Sequence, residues 1–454
     1  MTEGRIRELL EGLSSQQYHQ AILDALKESD GQVYELLTRE YERRQNTLQL
    51  GAAENQCSAA VLAALGSVLQ NKTAEGFAGA RLHGGCEVVD DVEGLAADRA
   101  KEAFGAQYAN VQPHSGTQAN QIVLTAVLES GDKILSMALE QGGHYSHGSK
   151  VSFTGRFFEV ENYYVDKESF VLDYDAIRGQ ALKFKPKLII CGASAYTRTI
   201  DFKRFREIAD EVEAYLLADV SHISGLIIAG AHPSPVDYAH FTTTSTYKPG
   251  GPRGGLILMG RDFDRKIKVG AKDVPIWEHI DEVTFPGVQG TPYFNNMAAK
   301  AVFFKETLSD EYRERQFKIV SNAQRIAKNL VESGHDVVTG GTDNHMVLVN
   351  VVNLREGLTG VTAQKCLEEC GIVVDMIHLP YEKVASAADG IRLGTPIVTK
   401  NGMGADEMDG ISALIDSVLR NVEVVSDSEY KIDGALKEQI ITKVKDLCSR
   451  FPMR

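Results

Sequence analysis

The sequence predicts an α/β protein built around a mainly parallel sheet. From about residue 62, helix-like stretches alternate with short strand-like runs, which is the pattern of βαβ units. The strand-like runs are residues 108–111, 133–136, 157–160, 187–191, 214–218, 240–243 and 255–259. Polar residues follow several of them, so we expect the chemistry at the carboxyl ends of the strands.

Two further units flank this region. The first 47 residues are charged and carry apolar residues at helical spacing, which predicts a helical arm. Helical pattern resumes at residue 295 and is followed by two strand-like runs and a final helical stretch. We therefore expect an N-terminal helical arm at 1–47, a large domain at 48–300 and a smaller C-terminal α/β domain at 301–454.

The composition is that of a globular protein and excludes several classes of function. The 454 residues are 43% hydrophobic and 24% charged, with a formal net charge of −14 and no Lys/Arg-rich block. Nucleic acid and anionic membranes are therefore not expected partners. No apolar run approaches the roughly 20 residues of a membrane span, and the charged N-terminus does not resemble a secretory signal. A cytoplasmic location is the default expectation.

The six cysteines do not form a disulfide framework, because they are scattered along the chain. Cys366 and Cys370 lie four residues apart, but no second Cys/His pair completes a metal site. We expect no metal.

Three segments carry residues suited to an anionic cofactor. In HSGTQAN, Ser115, Gly116 and Thr117 precede a helical run, so hydroxyls and free N–H groups at a helix N-terminus are available to a phosphate; an ordinary helix cap is the alternative. Asp219 follows an apolar strand, where a carboxylate needs a cationic partner such as a pyridinium or serves as a cap. Lys248 lies between a strand end and the rigid PGGPRGG loop, which favours a desolvated amine. Together they match the requirements of pyridoxal phosphate.

From about residue 48 to the C-terminus the chain resembles serine hydroxymethyltransferases, which are fold-type I pyridoxal-phosphate enzymes of the aspartate aminotransferase-like class. The resemblance is carried by long motifs: GSVLQNKTAEGFAG, HGGCEVVD, DRAKEAFGAQYANVQPHSGTQAN, GGHYSHG, DVSHISGL, TTTSTYKPGGPRGG, FPGVQGTP, GGTDNH and GIRLGTP. It implies a large cofactor-binding domain with a mixed, mostly parallel sheet and a smaller α/β domain. It also implies a homodimer or tetramer with active sites shared between subunits.

The resemblance also implies roles for individual residues. The cofactor contacts would be Ser115, Gly116, Thr117, His144, Ser194, Asp219, His222, Lys248 and Gly290. Within this set Lys248 forms the imine, Asp219 pairs with the pyridinium nitrogen and His144 stacks on the ring. Gly290, in the segment 287–290, would reach the phosphate from a partner subunit.

The substrate contacts implied by the resemblance are an arginine and a glutamate. Arg392 would clamp the substrate carboxylate, and Glu75, from the partner subunit, would act as acid and base at the substrate hydroxyl. Tyr247 is either a proton donor or a packed ring.

Several residues depart from the family pattern around the substrate. Thr73 stands where the family has a tyrosine, which leaves space for an amino acid bulkier than serine. Leu82 and His83 replace two tyrosines, so an imidazole takes the place of a phenol and proton handling should differ. Tyr247 replaces a histidine, and Ala53 replaces a serine.

Ile377 bears on folate. It aligns with an asparagine that contacts the pterin in the family, and an isoleucine side chain offers no hydrogen bond. Tetrahydrofolate is therefore a possible second cofactor whose binding is in doubt.

These observations predict a pyridoxal-phosphate-dependent hydroxymethyltransferase or aldolase. It would make or cleave the Cα–Cβ bond of serine, or of an α-substituted or β-hydroxy amino acid such as α-methylserine. One alternative is a folate-independent threonine-type aldolase or transaldolase. An alternative of another class is a non-catalytic pyridoxal-phosphate-binding paralogue.

Overall fold

A computed structural model describes residues 15–379, 388–426 and 429–453. Its helices are α1 (Ser15–Ser29), α2 (Gly31–Gln45), α3 (Ala59–Leu65), α4 (Glu87–Phe104), α5 (Gly116–Val127), α6 (Phe153–Phe157), α7 (Tyr174–Phe184), α8 (Phe202–Glu211), α9 (Ser224–Ala229), α10 (Ile276–Glu282), α11 (Phe294–Thr307), α12 (Asp310–Glu332), α13 (Gly360–Glu369), α14 (Pro396–Lys400), α15 (Ala405–Asn421) and α16 (Gly434–Arg450).

The strands are mostly short. They are β1 (Leu48–Gln49), β2 (Gly76–Phe77), β3 (Ala80–Arg81), β4 (Tyr108–Asn110), β5 (Lys133–Met137), β6 (Glu159–Tyr163), β7 (Leu188–Cys191), β8 (Tyr215–Asp219), β9 (Phe241–Ser245), β10 (Gly255–Met259), β11 (Lys266–Val269), β12 (Lys272–Pro275), β13 (Asp336–Val337), β14 (Met346–Asn350), β15 (Ile372–Val373), β16 (Asp375–Ile377), β17 (Gly390–Gly394), β18 (Glu423–Val424) and β19 (Tyr430–Lys431).

A seven-stranded sheet forms the centre of the larger unit, in the order β4-β10-β9-β8-β7-β5-β6. Strands β5 to β9 pair in parallel, whereas β10 runs antiparallel to both β9 and β4. The predicted α/β class with a mostly parallel sheet is thus confirmed. The sheet is mixed because of one strand.

The central strands are continuous apolar or hydroxyl-bearing runs because both faces of the sheet are covered. Every residue of β7, β9 and β10 is buried. On β7, Ile189 and Cys191 pack into one apolar core while Leu188 and Ile190 pack into the core on the opposite face. This two-sided burial is typical of parallel sheets. The parallel pairing of β5 to β9 brings the carboxyl ends of these strands to one edge.

The smaller unit has a four-stranded antiparallel sheet, in the order β13-β14-β17-β16. Its apolar core includes Leu48 and Leu50, because β1 pairs in parallel with β15. Helix α12 reaches both cores, with Ile319 in one and Ala323 in the other. The domain limits at residues 47 and 300 stay predictions.

Helices α1 and α2 form the described part of the N-terminal arm, and α2 has no buried residue. Residues 1–14 of the predicted arm lie outside the described residues. Within the described ranges, no helix combines the length and the apolar character that crossing a membrane requires.

Candidate active site

One cavity of about 190 Å³ lies where the strand ends meet the first turn of α5. It gathers most of the site residues predicted from the sequence: Ser115, Gly116, Thr117, His144, Ser194, Asp219, His222, Tyr247 and Lys248. Its other lining residues are His147, Ala193, Ser221, Ser245 and Arg253.

Asp219, the last residue of β8, is buried in this cavity with four hydrogen-bonding contacts. Its Oδ2 accepts from Asn120 Nδ2 at 2.7 Å and contacts His147 Nε2 at 3.0 Å. Its Oδ1 accepts from the backbone N–H and hydroxyl of Ser221 at 3.1 and 2.6 Å. Burial by itself would raise the pKa of Asp219, but the hydrogen bond and charge of His147 outweigh it and hold that pKa well below its usual range. The carboxylate therefore stays ionised.

Lys248 follows β9 on a backbone that is fixed from two sides. The Asn55 side chain donates to the Lys248 carbonyl at 2.9 Å, and the Tyr312 hydroxyl donates to the Pro249 carbonyl at 3.2 Å. Burial lowers the pKa of Lys248 to about 8, although the Asp219 carboxylate opposes this shift. The result is a positioned amine that is partly neutral near physiological pH, as imine chemistry requires.

Two histidines beside Lys248 are neutral. His144 accepts at Nδ1 from the Ser146 backbone N–H at 3.2 Å, and burial lowers the pKa of His144 to about 4. Burial, together with the charge of Lys248, also holds the pKa of His222 well below its usual value. An uncharged ring at His144 is suited to stacking on an aromatic ligand.

The first turn of α5 forms a close-packed cradle. Ser115 caps the helix by accepting from the Gln118 N–H at 3.1 Å. A Cβ at Gly116 would lie 3.1 Å from the Ser245 nitrogen and 3.3 Å from the Ser221 hydroxyl, so a side chain fits only if its neighbours shift. The Ser245 hydroxyl is buried and has no hydrogen-bond partner among the described residues. This donor-rich turn at a helix N-terminus suits a phosphate.

Arg392 lies on β17 and is not one of the residues that line the cavity, but it contacts one of them. Its Nη1 donates to the Ser194 carbonyl at 2.6 Å. Its Nε and Nη2 donate to Asp375 Oδ2 at 3.3 and 2.8 Å. The guanidinium is therefore held beside Ser194, which lines the cavity.

The remaining predicted residues also lie outside the lining of this cavity within one chain. The Glu75 N–H donates to His83 Nδ1 at 3.2 Å, and a Cβ at Gly290 would lie 3.5 Å from Glu75 Oε1. Glu75, His83 and Gly290 thus form a second group around the β2–β3 hairpin, and Thr73 is exposed on the loop before it.

Sequence reasoning missed the groups that hold the main residues in place. Asn120 binds Asp219, Asn55 binds Lys248, and Asp375 binds Arg392. His147 also contacts the Asp219 carboxylate. Asn120 lies inside the HSGTQAN motif. This motif is the sequence signal that could have identified Asn120 as part of the site.

These residues fit pyridoxal phosphate: a low-pKa amine, an ionised carboxylate and a helix N-terminus line the same cavity. An α/β fold with this site defines the class of pyridoxal-phosphate enzymes that act on amino acids. The family model described as serine hydroxymethyltransferase matches residues 26–415. The chain belongs to the serine hydroxymethyltransferase family. Its function is accordingly that of a hydroxymethyltransferase-like enzyme, and the family implies a fold-type I architecture and pyridoxal phosphate as cofactor.

Proposed function

We propose that this protein makes or cleaves the Cα–Cβ bond of serine, or of an α-substituted or β-hydroxy amino acid such as α-methylserine. The observation that carries the proposal is the placement of Lys248 and Asp219 in one cavity, with the amine partly neutral and the carboxylate ionised. Pyridoxal phosphate, when bound, supplies an electron sink for the charge that develops at Cα.

Several residues in and beside the cavity then have proposed tasks. Ser115, Gly116 and Thr117 would hold the phosphate of the cofactor, and Asp219 would pair with its ring nitrogen. Arg392 orients the substrate by its carboxylate. The neutral amine of Lys248 takes and returns a proton at a Cα placed beside it.

We further propose that the active form is a homodimer or tetramer. Glu75, His83 and Gly290 cluster outside the cavity of their own chain. A partner subunit that presents this cluster to the cavity would supply the acid and base at the substrate hydroxyl and further contacts to the phosphate.

A folate-independent threonine-type aldolase or transaldolase is the second candidate. Ile377 packs against an apolar cluster that contains Ala195, Val338, Leu348 and Leu379. A side chain committed to apolar packing offers no hydrogen bond to a pterin edge. This observation favours a reaction that does not need tetrahydrofolate.

Product analysis tests these candidates. The protein loaded with pyridoxal phosphate is given L-serine, L-threonine or either enantiomer of α-methylserine, each with and without tetrahydrofolate. Glycine from L-serine only with folate supports the family reaction with an unchanged substrate. Alanine from α-methylserine supports a changed substrate, and glycine from threonine without folate supports the second candidate. No product under any condition contradicts the proposal.

The variant Lys248→Ala tests the alternative of a non-catalytic cofactor-binding paralogue. We expect product formation to fall by a factor on the order of 10²–10⁴, because a positioned proton-transfer group is lost. Lys268→Ala is the control, since Lys268 is exposed on the β11–β12 hairpin. Wild-type activity in Lys248→Ala would contradict an imine mechanism.

A further inference from the structure

Asp375 and Arg392 form a cross-strand pair beside the cofactor cavity, where Arg392 donates to the carbonyl of the lining residue Ser194. They face each other directly in the antiparallel register of β16 and β17, so both side chains lie on the same face of the sheet. The Asp375 carboxylate contacts the guanidinium through Oδ2 alone, at 2.8 Å to Nη2 and 3.3 Å to Nε. The arginine is thus already paired before a substrate carboxylate arrives.

Arg392 still has N–H groups that are free to bind a substrate carboxylate. A guanidinium has five N–H donors. Arg392 uses its Nε and one Nη2 hydrogen on Asp375, and one Nη1 hydrogen on the Ser194 carbonyl. One N–H remains on each of Nη1 and Nη2, which is the number that a bidentate carboxylate accepts.

Charge limits what else fits there. A bound α-carboxylate and Asp375 would share a single guanidinium. The two carboxylates carry two negative charges, whereas the guanidinium carries one positive charge. The Arg392 side chain is 11% exposed and Asp375 is 39% exposed, so solvent screens this group only in part. A second negative charge on the substrate would meet the Asp375 carboxylate beside a guanidinium whose charge the two carboxylates already share.

We propose that Asp375 is a specificity-determining residue: it holds Arg392 in place for the α-carboxylate and selects against amino acids with an anionic side chain. The substrates admitted are those with hydroxyl-bearing or alkyl side chains. This inference rests on the proposed function, because it assigns the substrate class of the same site.

The test compares amino-acid binding to the cofactor-loaded wild type and Asp375→Asn by isothermal titration calorimetry. Asparagine keeps the size of the side chain and an oxygen acceptor for Arg392 but removes the charge. We expect the wild type to bind L-serine in preference to L-aspartate. We expect this preference to shrink by about tenfold in Asp375→Asn, chiefly because aspartate binds more tightly. An unchanged ratio of the two dissociation constants overturns the inference.

A matched control is available in another hairpin. Asp273 faces Lys268 across β11 and β12 with a 3.0 Å contact, and neither residue lines the cavity. Asp273→Asn makes the same change in charge and should leave both affinities unaltered. If Asp375→Asn does not fold, Asp375→Ser makes the same test with a smaller side chain.

The result separates this inference from the proposed function. A wild type that binds serine, with an unchanged ratio in the variant, contradicts only the role of Asp375. A wild type that binds neither amino acid contradicts both.

Discussion

At the scale of single residues, the pKa of the Lys248 amine leads to a testable prediction. Burial lowers the pKa of Lys248 to about 8 from its usual 10.5. Only the unprotonated amine is nucleophilic, so the reactive fraction rises as pH increases through the folded-state pKa and levels off above it. We expect the apoprotein to capture pyridoxal phosphate faster with rising pH, with a midpoint near 8.

Stopped-flow absorbance of the cofactor at a series of pH values measures this capture rate. Lys248→Ala is the control and should show no such titration. A midpoint close to 10 would mean that the amine is solvated and that burial does not tune it.

The residues of the cavity differ in how far the sequence could identify them. Ser115, Asp219 and Lys248 sit in local patterns whose chemistry is visible in a few neighbouring residues, and the structure brings them to one cavity. Asn120 and Asn55 hold residues that are far away in the chain: Asn120 contacts Asp219, and Asn55 contacts the Lys248 carbonyl. No local pattern encodes such a pair, because tertiary packing creates it.

At the scale of secondary-structure elements, Lys300 connects α11 to the segment that precedes the cradle. Its fully buried amine donates to the carbonyls of Val111 at 2.6 Å, Gly255 at 2.8 Å and Pro113 at 3.3 Å. Burial lowers the pKa of Lys300 to about 7. This one side chain therefore joins a helix to the ends of β4 and β10.

We expect Lys300→Met to lower the free energy of unfolding by about 1–3 kcal/mol, because it leaves buried carbonyls without their donor. Urea unfolding at pH 6.5 measures the change. Lys305→Met is the matched control, since Lys305 lies on the same helix but is exposed. If Lys300→Met lowered the free energy of unfolding no more than Lys305→Met does, the buried carbonyls would have found other hydrogen-bond donors.

The pH dependence of stability gives an independent check on Lys300. Its folded-state pKa is lowered, so between about pH 7 and its usual 10.5 the unfolded chain binds more protons than the native one. This group therefore makes the free energy of unfolding rise with pH across that window. In Lys300→Met the free energy of unfolding should rise less with pH than in the wild type. An identical slope in the two proteins would contradict the lowered pKa of Lys300.

Elements with two buried faces were the easiest to predict from sequence. The run predicted at residues 255–259 coincides with β10, and those predicted at 187–191 and 214–218 match β7 and β8 to within one residue at each end. The run at 157–160 was partly wrong, because Phe157 ends α6 and β6 starts at Glu159. The ring centroids of Phe153 and Phe157 lie 4.8 Å apart, which is a contact between residues i and i+4 of this helix.

At the scale of the whole molecule, the two groups of site residues raise the question of assembly. Lys248 lines the cavity, whereas Glu75 packs beside His83 and Gly290 on the β2–β3 side of the same chain. The sequence located both groups by their motifs. The motifs do not indicate how far the group around Glu75 lies from the group around Lys248, because in an oligomer that distance depends on how two subunits associate.

Mixing two inactive variants tests whether active sites are shared. In a dimer of one Lys248→Ala chain and one Glu75→Gln chain, shared sites would combine the intact Lys248 of one subunit with the intact Glu75 of the other. Each mixed dimer would then hold one complete site and one doubly altered site. Random exchange places half of the chains in mixed dimers, so we expect about a quarter of wild-type activity from two preparations that are each nearly inactive.

The control mixture pairs Lys248→Ala with a chain that carries both substitutions, from which no complete site can form. Refolding the variants together from denaturant permits subunit exchange, and product formation from the substrate identified above is the readout. Recovery only in the first mixture requires Glu75 to act on the cavity of a partner subunit. No recovery, with mixed dimers confirmed by native mass spectrometry, would place both residues in sites built from one chain and would contradict the proposed assembly.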